Sequence, residues 1–196
     1  QLGLVTTEPF GGNSFQIANP IWGDSVSKLD WNLNLQTNSY QWAQGYGYGS
    51  YTSCVNVVSS TNFSTNSYKA TFTSLFGSYF GDFDISNNLL RSALASNGEI
   101  LTSVWSGRPK WYFHQMGTGN PIGLSTLMSQ NTWNGIYPVY PDALYGYGLV
   151  HPSFHGDISL KLYPYEAPDN FVVKQDSCSN RFILNWDSHQ GENIQS

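Results

Sequence analysis

Two groups of aromatic and polar side chains are the parts of this sequence whose residue types could do chemistry. Sugars offer hydroxyls for in-plane hydrogen bonds and a C–H face that packs on aromatic rings, so carbohydrate sites combine Trp or Tyr with Asn, Arg or His. The candidate glycan-binding residues are Trp105, Arg108, Tyr112 and His114 in the first group, and Trp133, Asn134, Tyr137 and Tyr140 in the second.

Arg108 is the candidate polar anchor of the first group. It lies in Ser106-Gly107-Arg108-Pro109, which predicts a tight turn where the side chain cannot be core. Its planar guanidinium can bind vicinal hydroxyls or a sialic-acid carboxylate at two points. Alternatively, Arg108 is only a solvated turn residue and Trp105 belongs to the core, while the second group packs on itself or forms a subunit interface.

Asp82 and Asp84 are the candidate catalytic residues if the protein is an enzyme. If they lie on a strand they share one face, which would suit the acid and base of a glycoside hydrolase. A retaining pair needs carboxyl groups on opposite sides of the scissile bond, and the partner could come only from Glu99, Asp157 or Glu166. The same stretch resembles the start of a calcium loop, but no Gly and Glu follow at the positions that complete it. We therefore predict no catalysis, no cofactor and no metal.

The first group of candidates needs a sheet to position it. Two turn signals, Asn97-Gly98 and residues 106–109, separate strand-like runs at residues 89–95, 100–105 and 110–116. This pattern predicts a three-stranded antiparallel meander, with Asn-Gly as a type I′ hairpin turn. Alternation places Trp111 and Phe113 on the core side and Tyr112 with His114 on the other side.

The remaining chain predicts an all-β fold. In residues 31–35 apolar and polar residues alternate, so Trp31, Leu33 and Leu35 are expected to face inward from a strand. Residues 45–49, Gly-Tyr-Gly-Tyr-Gly, predict a loop that holds exposed tyrosines as a contact surface. Further strands are predicted at residues 14–21, 51–58, 68–76, 157–163, 171–174 and 181–186, with a helical turn or two near Leu124.

These elements predict a two-sheet antiparallel sandwich with one short helix at most. The length of 196 residues fits a single domain, residues 1–196. Residues 1–12 are expected to lie over the body and residues 187–196 to form a flexible tail. Cys54 and Cys178 share no short spacing, which excludes a zinc knuckle but leaves one long-range disulfide or two free thiols open.

Charge and hydropathy argue against two classes of partner. The formal net charge is −5 and the eight Lys and Arg residues are scattered singly, which argues against nucleic acid and anionic membranes. No apolar run approaches the roughly eighteen residues that would span a bilayer, so no membrane insertion is expected.

The segment from Gly107-Arg108 through Trp111, Phe113 and His114 resembles a Gly-Arg turn followed by a Trp-x-Phe-His strand, which are found late in the sequences of one family of viral proteins. That family is the receptor-binding head of the rotavirus outer-capsid spike protein, and residues 29–42 and 157–163 resemble further strands of it. The resemblance implies a galectin-like sandwich of a divergent rotavirus species, exposed on the virion outer capsid. It further implies a non-enzymatic lectin that attaches to host cell-surface glycans, sialylated or of blood-group type, with the remainder of the spike protein as a partner.

Two other classes remain open on the sequence. The chain could be a structural or protein-interaction domain of a viral capsid, in which case no sugar would bind. It could also be a jelly-roll glycoside hydrolase, for which the two aspartates would be the first candidates.

Overall fold

The computed structural model describes residues 3–6, 9–10, 15–105, 111–131, 153–162, 169–175 and 181–187. The backbone forms two compact units, residues 1–163 and 164–196. The first unit is built on a six-stranded sheet with helices on both faces, and the second contains a two-stranded hairpin.

Strands and helices alternate along the first unit. In chain order the elements are β1 (Gly3–Val5), α1 (Phe15–Trp22), a 3-10 turn (Gly23–Ser25), β2 (Val26–Lys28), α2 (Trp31–Thr37), β3 (Tyr40–Tyr46), β4 (Gly49–Ser50), β5 (Ser53–Cys54), β6 (Val58–Ser59), α3 (Ser60–Thr65), β7 (Ala70–Phe76), α4 (Leu89–Leu94), β8 (Thr102–Trp105), α5 (His114–Gly117), α6 (Ile122–Asn131) and β9 (Phe154–Gly156). The second unit contains β10 (Asp169–Gln175) and β11 (Phe182–Asp187).

The main sheet has the strand order β2-β1-β3-β7-β8-β9. Its first five strands are parallel, and β9 is antiparallel to β8. The chain moves from β1 to β2 on one side and then returns to place β3 on the other side of β1. The strand order therefore reverses between β1 and β3, which is the topological switch point of a doubly wound sheet.

Each face of the sheet is covered by its own hydrophobic core. One core joins Leu4, Ala43 and Leu75 of the strands to Trp31 of α2 and Leu89 of α4. The other joins strand residues to apolar side chains of α1, α5 and α6, among them Val5, Trp42, Phe72, Trp22, Met116 and Ile122. Parallel strands buried on both faces are typical of this architecture.

The prediction of an all-β sandwich is wrong, because the chain is mixed α/β. The predicted strand at residues 89–95 is α4, for which Asn88 supplies the N-cap. Its side-chain Oδ1 accepts hydrogen bonds from the backbone N–H groups of Leu90 and Arg91 at 3.0 and 3.2 Å. Only the middle run of the predicted meander forms a strand, β8, and residues 114–117 form α5.

The alternating residues 31–35 also form a helix, α2. Trp31 and Leu35 are fully buried, whereas Leu33 is 64% exposed. The residues i and i+4 lie on one face of a helix as well as of a strand, so Trp31 and Leu35 fit both structures. Asp30 decides between them, since its carboxylate accepts a 2.7 Å hydrogen bond from the N–H of Leu33 as an N-cap.

Asn97-Gly98 is not a type I′ hairpin turn. Gly98 lacks the positive φ that this turn requires. A Cβ at this position would collide with the backbone of Tyr68, and the neighbouring Glu99 N–H donates to the carbonyl of Tyr68 at 2.8 Å. The glycine is required by the close approach of two chain segments rather than by a turn.

Other predicted strands had mixed outcomes. Residues 68–76 contain β7, and the two strands predicted near the end of the chain are β10 and β11. Residues 14–21 belong mostly to α1, residues 51–58 contain only the short β5 and the start of β6, and the strand predicted at residues 157–163 is displaced to β9. The helix predicted near Leu124 has ten residues.

The ends of the chain differ from the expected arrangement. Residues 1–12, expected to lie over the body, contain β1, which pairs with β2 and β3 inside the sheet. Asp187, expected to begin a tail, closes the hairpin of the second unit, and residues 188–196 lie outside the described residues. Cys54 is a buried free thiol, and Cys178, its possible disulfide partner, lies outside the described residues.

Candidate functional site

The two predicted groups are only partly covered by the structure. Trp105, Tyr112 and His114 are described, whereas Arg108 and the whole second group, Trp133, Asn134, Tyr137 and Tyr140, lie outside the described residues.

All three polar groups of Trp105 make hydrogen bonds, and its backbone N–H donates to the carbonyl of Ser153 at 2.9 Å. Its indole N–H donates to the carbonyl of Gly77 at 2.8 Å, and its own carbonyl accepts from the indole of Trp111 at 2.6 Å. Trp111 and Phe113 are core residues, as predicted, with stacked rings 5.3 Å apart. Trp105 therefore joins β7, β8 and the segment that follows β8.

Tyr112 and His114 are half-buried neighbours. Their ring centroids lie 6.3 Å apart in an edge-to-face arrangement, and the backbone N–H of Tyr112 donates to the hydroxyl of Ser129 at 2.8 Å. The two side chains expected to share a face do meet, although on an irregular segment and α5 rather than on a strand. Their role in ligand binding stays a prediction.

Asp82 and Asp84 lie in the loop between β7 and α4, not on a strand. Both side chains are exposed, and because neither residue is on a strand, the shared strand face that suggested an acid and a base is absent. Among the described residues, no three His, Cys, Asp or Glu side chains come together to hold a metal ion.

The structure reveals a different site, a cleft at the carboxyl edge of the sheet, which we call the switch-point cleft. Its volume is about 440 Å³. It is lined by Thr6 and Pro9 after β1, by residues 28–30 at the end of β2, by residues 46–48 at the end of β3, and by Val55 and Asn56 between β5 and β6. In open parallel sheets, ligands bind outside the carboxyl ends of the strands where the strand order reverses.

Thr6 fixes the base of the cleft. Its N–H donates to the carbonyl of Gln44 at 3.0 Å, and its hydroxyl accepts from the N–H of Tyr46 at 2.8 Å. These bonds extend the pairing of β1 and β3 beyond the last residue of β1. The two strands that flank the switch point are thereby held in register at the site.

Tyr48 gives the cleft an aromatic wall. Its side chain is 63% exposed, and Phe10 contacts it edge-on with ring centroids 5.2 Å apart. Phe10 packs in the same manner on Phe76 at 5.2 Å. The carbonyl of Tyr48 accepts from the N–H of Val55 at 2.9 Å, so the ring stands on a fixed backbone.

Three polar side chains complete the lining: Lys28, Asp30 and Asn56. Asp30 is oriented by its capping bond to α2. Asn56 has a φ of 60°, the left-handed conformation that Asn adopts more readily than most residues. An ammonium, a carboxylate and a carboxamide can donate to and accept from the hydroxyls of one small ligand.

Sequence reasoning found one part of this cleft and missed the rest. The Gly-Tyr-Gly-Tyr-Gly run at residues 45–49 was the available signal: Tyr48 is exposed as predicted, while Tyr46 ends β3 and is buried. The other lining residues come from segments distant in sequence and carry no motif.

Comparison of the chain with protein-family models, with curated proteins and with solved structures gives no match. In the described part of the chain, every helix is too short or too polar to cross a membrane.

Proposed function

We propose that this protein binds glycans, without catalysis, in the switch-point cleft. The observation that carries the proposal is the joint lining of the cleft by an exposed tyrosine ring and by Lys28, Asp30 and Asn56. The volume of about 440 Å³ falls in the range of small-molecule sites, about 300–1,000 Å³.

The chemistry of the lining favours a sugar over a purely apolar ligand. The Tyr48 ring can pack against the C–H face of a pyranose, while the carboxylate of Asp30 can accept hydrogen bonds from ring hydroxyls. Lys28 and Asn56 can donate to hydroxyl or carboxylate oxygens. An apolar ligand would leave these polar groups buried and unpaired, which lowers its affinity.

Binding alone is favoured over hydrolysis. Glycoside hydrolases use two carboxyl groups that flank the scissile bond. Among the described residues that line the cleft, Asp30 is the single carboxylate, and it already serves as the N-cap of α2.

A narrower proposal concerns the biological setting. The resemblance at Gly107, Arg108, Trp111, Phe113 and His114 supports a viral attachment head on the virion outer capsid, with host cell-surface glycans and the rest of the spike as partners. That proposal depends on the short resemblance alone, because the fold is not the galectin-like sandwich that the resemblance implied. The runner-up, a structural or protein-interaction domain, predicts no glycan binding.

Replacing Tyr48 tests the proposal. On a glycan array followed by calorimetry with the best array ligand, Tyr48→Ala is expected to lower affinity about tenfold, since one contact of about 1.4 kcal/mol is lost. Tyr48→Phe keeps the ring and is expected to bind nearly as the unaltered protein does. Asp30→Asn preserves the helix cap and is expected to weaken binding through the loss of charge.

Arg108→Ala and Trp133→Ala are the matched variants for the two groups predicted from the sequence. If Tyr48→Ala binds normally and one of these variants does not, the site lies in the corresponding predicted group. If the purified protein binds no glycan on the array, the proposed function is wrong.

A further inference from the structure

A pair of exposed tyrosines lies at the far end of β4 from the switch-point cleft. Tyr51 in the turn after β4 and Tyr79 in the loop after β7 are 42% and 59% exposed. Their ring centroids lie 5.3 Å apart with an interplanar angle of 55°. Together they present aromatic surface to solvent at the carboxyl edge of the sheet.

Tyr79 is held in a conformation that is unfavourable for its residue type. Its φ is 66°, in the left-handed region, which a bulky side chain rarely adopts. Such strain persists only where the surroundings enforce it, and it is common at ligand sites. The strained backbone turns Tyr79 outward, while the next residue, Phe80, is fully buried.

The surroundings that enforce this conformation are well defined. Gly49 of β4 leaves no room for a Cβ against the backbone of Ser78. The carbonyl of Phe80 accepts from the side chain of Asn88 at 2.7 Å, and the carbonyl of Tyr51 accepts from the N–H of Leu89 at 3.0 Å. Both tyrosines are thus presented by rigid backbone tied to α4.

The pair is close to the cleft along a single strand. Tyr48 lines the cleft and precedes β4, whereas Tyr51 follows β4. Three residues of extended chain span about 10 Å at most. Sugar residues within one short oligosaccharide can bridge such a separation.

We propose that Tyr51 and Tyr79 form a second aromatic subsite, so that the ligand is an oligosaccharide rather than a single sugar. This inference depends on the proposed function, because the first sugar occupies the switch-point cleft. The C–H face of a further sugar packs on the Tyr79 ring, with Tyr51 as its lateral support.

The test compares single sugars with their tetrasaccharides by calorimetry, using N-acetylglucosamine with chitotetraose, glucose with cellotetraose, and galactose with lacto-N-tetraose. The unaltered protein is expected to bind one tetrasaccharide at least about tenfold more tightly than the matching single sugar. Tyr51→Ala and Tyr79→Asn are expected to remove most of that difference and to leave single-sugar affinity unchanged. Tyr48→Ala lowers both affinities.

Tyr79→Asn also separates a binding role from a structural one. Asn tolerates the left-handed conformation better than Tyr, so the variant is expected to melt at the same or a higher temperature while it loses tetrasaccharide affinity. A residue kept only for stability would show the opposite change in melting temperature.

Two distinguishable results would overturn the inference, one for the subsite alone and one for the cleft and the subsite together. If tetrasaccharides bind no more tightly than single sugars, or if Tyr79→Asn and Tyr51→Ala leave tetrasaccharide affinity unchanged, the subsite does not exist although the cleft binds sugar. If none of the six sugars binds, the cleft proposal and the subsite are both wrong for these sugar classes.

Discussion

His155 on β9 lies in an environment that disfavours its charged form. Its ring is edge-on to Phe83 with centroids 4.9 Å apart, and its Nε2 has no hydrogen-bond partner among the described residues. Burial lowers the pKa of His155, and the Arg91 cation lowers it further. The folded protein therefore binds fewer protons at this residue than the unfolded chain, whose His pKa is about 6.5.

This pKa shift predicts a loss of stability on mild acidification. The free energy of unfolding has its full value at pH above the pKa of this histidine in the unfolded chain. It decreases as the pH falls through that pKa, because the unfolded chain then gains a proton that the folded protein does not bind. Urea unfolding at pH 7.5 and at pH 5.5 should show a smaller free energy of unfolding at the lower pH. His155→Gln should reduce that pH difference; an equal difference in the variant would contradict the assignment.

Asn88 makes four hydrogen bonds from a fully buried side chain. Besides capping α4, its Nδ2 donates to the carbonyls of Phe80 and Asp82 at 2.7 and 3.2 Å. Asn88→Asp keeps the acceptors but loses the donors and brings a negative charge against two carbonyl oxygens. We expect a loss of about 2–4 kcal/mol in the free energy of unfolding.

The adjacent Asn87 provides the control for that substitution. It is exposed, so Asn87→Asp should change the free energy of unfolding by less than about 0.5 kcal/mol. Equal effects at the two positions would mean that the buried hydrogen bonds of Asn88 do not determine stability.

The position of β4 requires a glycine at residue 49, because there is no room for a side chain there. A Cβ on Gly49 would collide with the backbone of Ser78, so Gly49→Ala must push β4 away from the loop that follows β7. Overpacking of this kind typically lowers stability by about 1–3 kcal/mol. Thermal unfolding should therefore show a clear decrease in melting temperature.

Gly81 is the matched control in the same loop. A Cβ there meets no atom within 4 Å, and Gly81→Ala should leave the melting temperature unchanged or raise it slightly, because the unfolded chain loses freedom. If both variants melt alike, the contact between β4 and Ser78 contributes nothing to stability.

The sequence predicted correctly those strands whose own residues carry a strong strand preference. The strands β7, β10 and β11 are runs rich in aromatic and β-branched residues, and their positions are predictable for that reason. The helices α2 and α4 were missed because apolar residues four apart suit either structure, and the deciding caps, Asp30 and Asn88, are single residues.

The pairing of strands and the cleft could not be predicted in the same way. β1 has three residues, and the residues that pair with it begin at 26 in β2 and at 42 in β3, with no turn signal to join them. The lining of the switch-point cleft is assembled from four separate segments by that pairing. Side chains from such segments come together in one site only because the order of the strands places them side by side.

The parallel pairing in the main sheet also sets how the chain reaches its fold. Among strands β2, β1, β3, β7 and β8, each neighbouring pair is parallel, so none can form by closing a tight hairpin. Each contact must wait for a crossover to close, and folding dominated by such distant pairings is slow, of the order of milliseconds to seconds. During that interval the unpaired edges of β3 and β7 are open to other chains, so refolding at high concentration should favour aggregation over recovery.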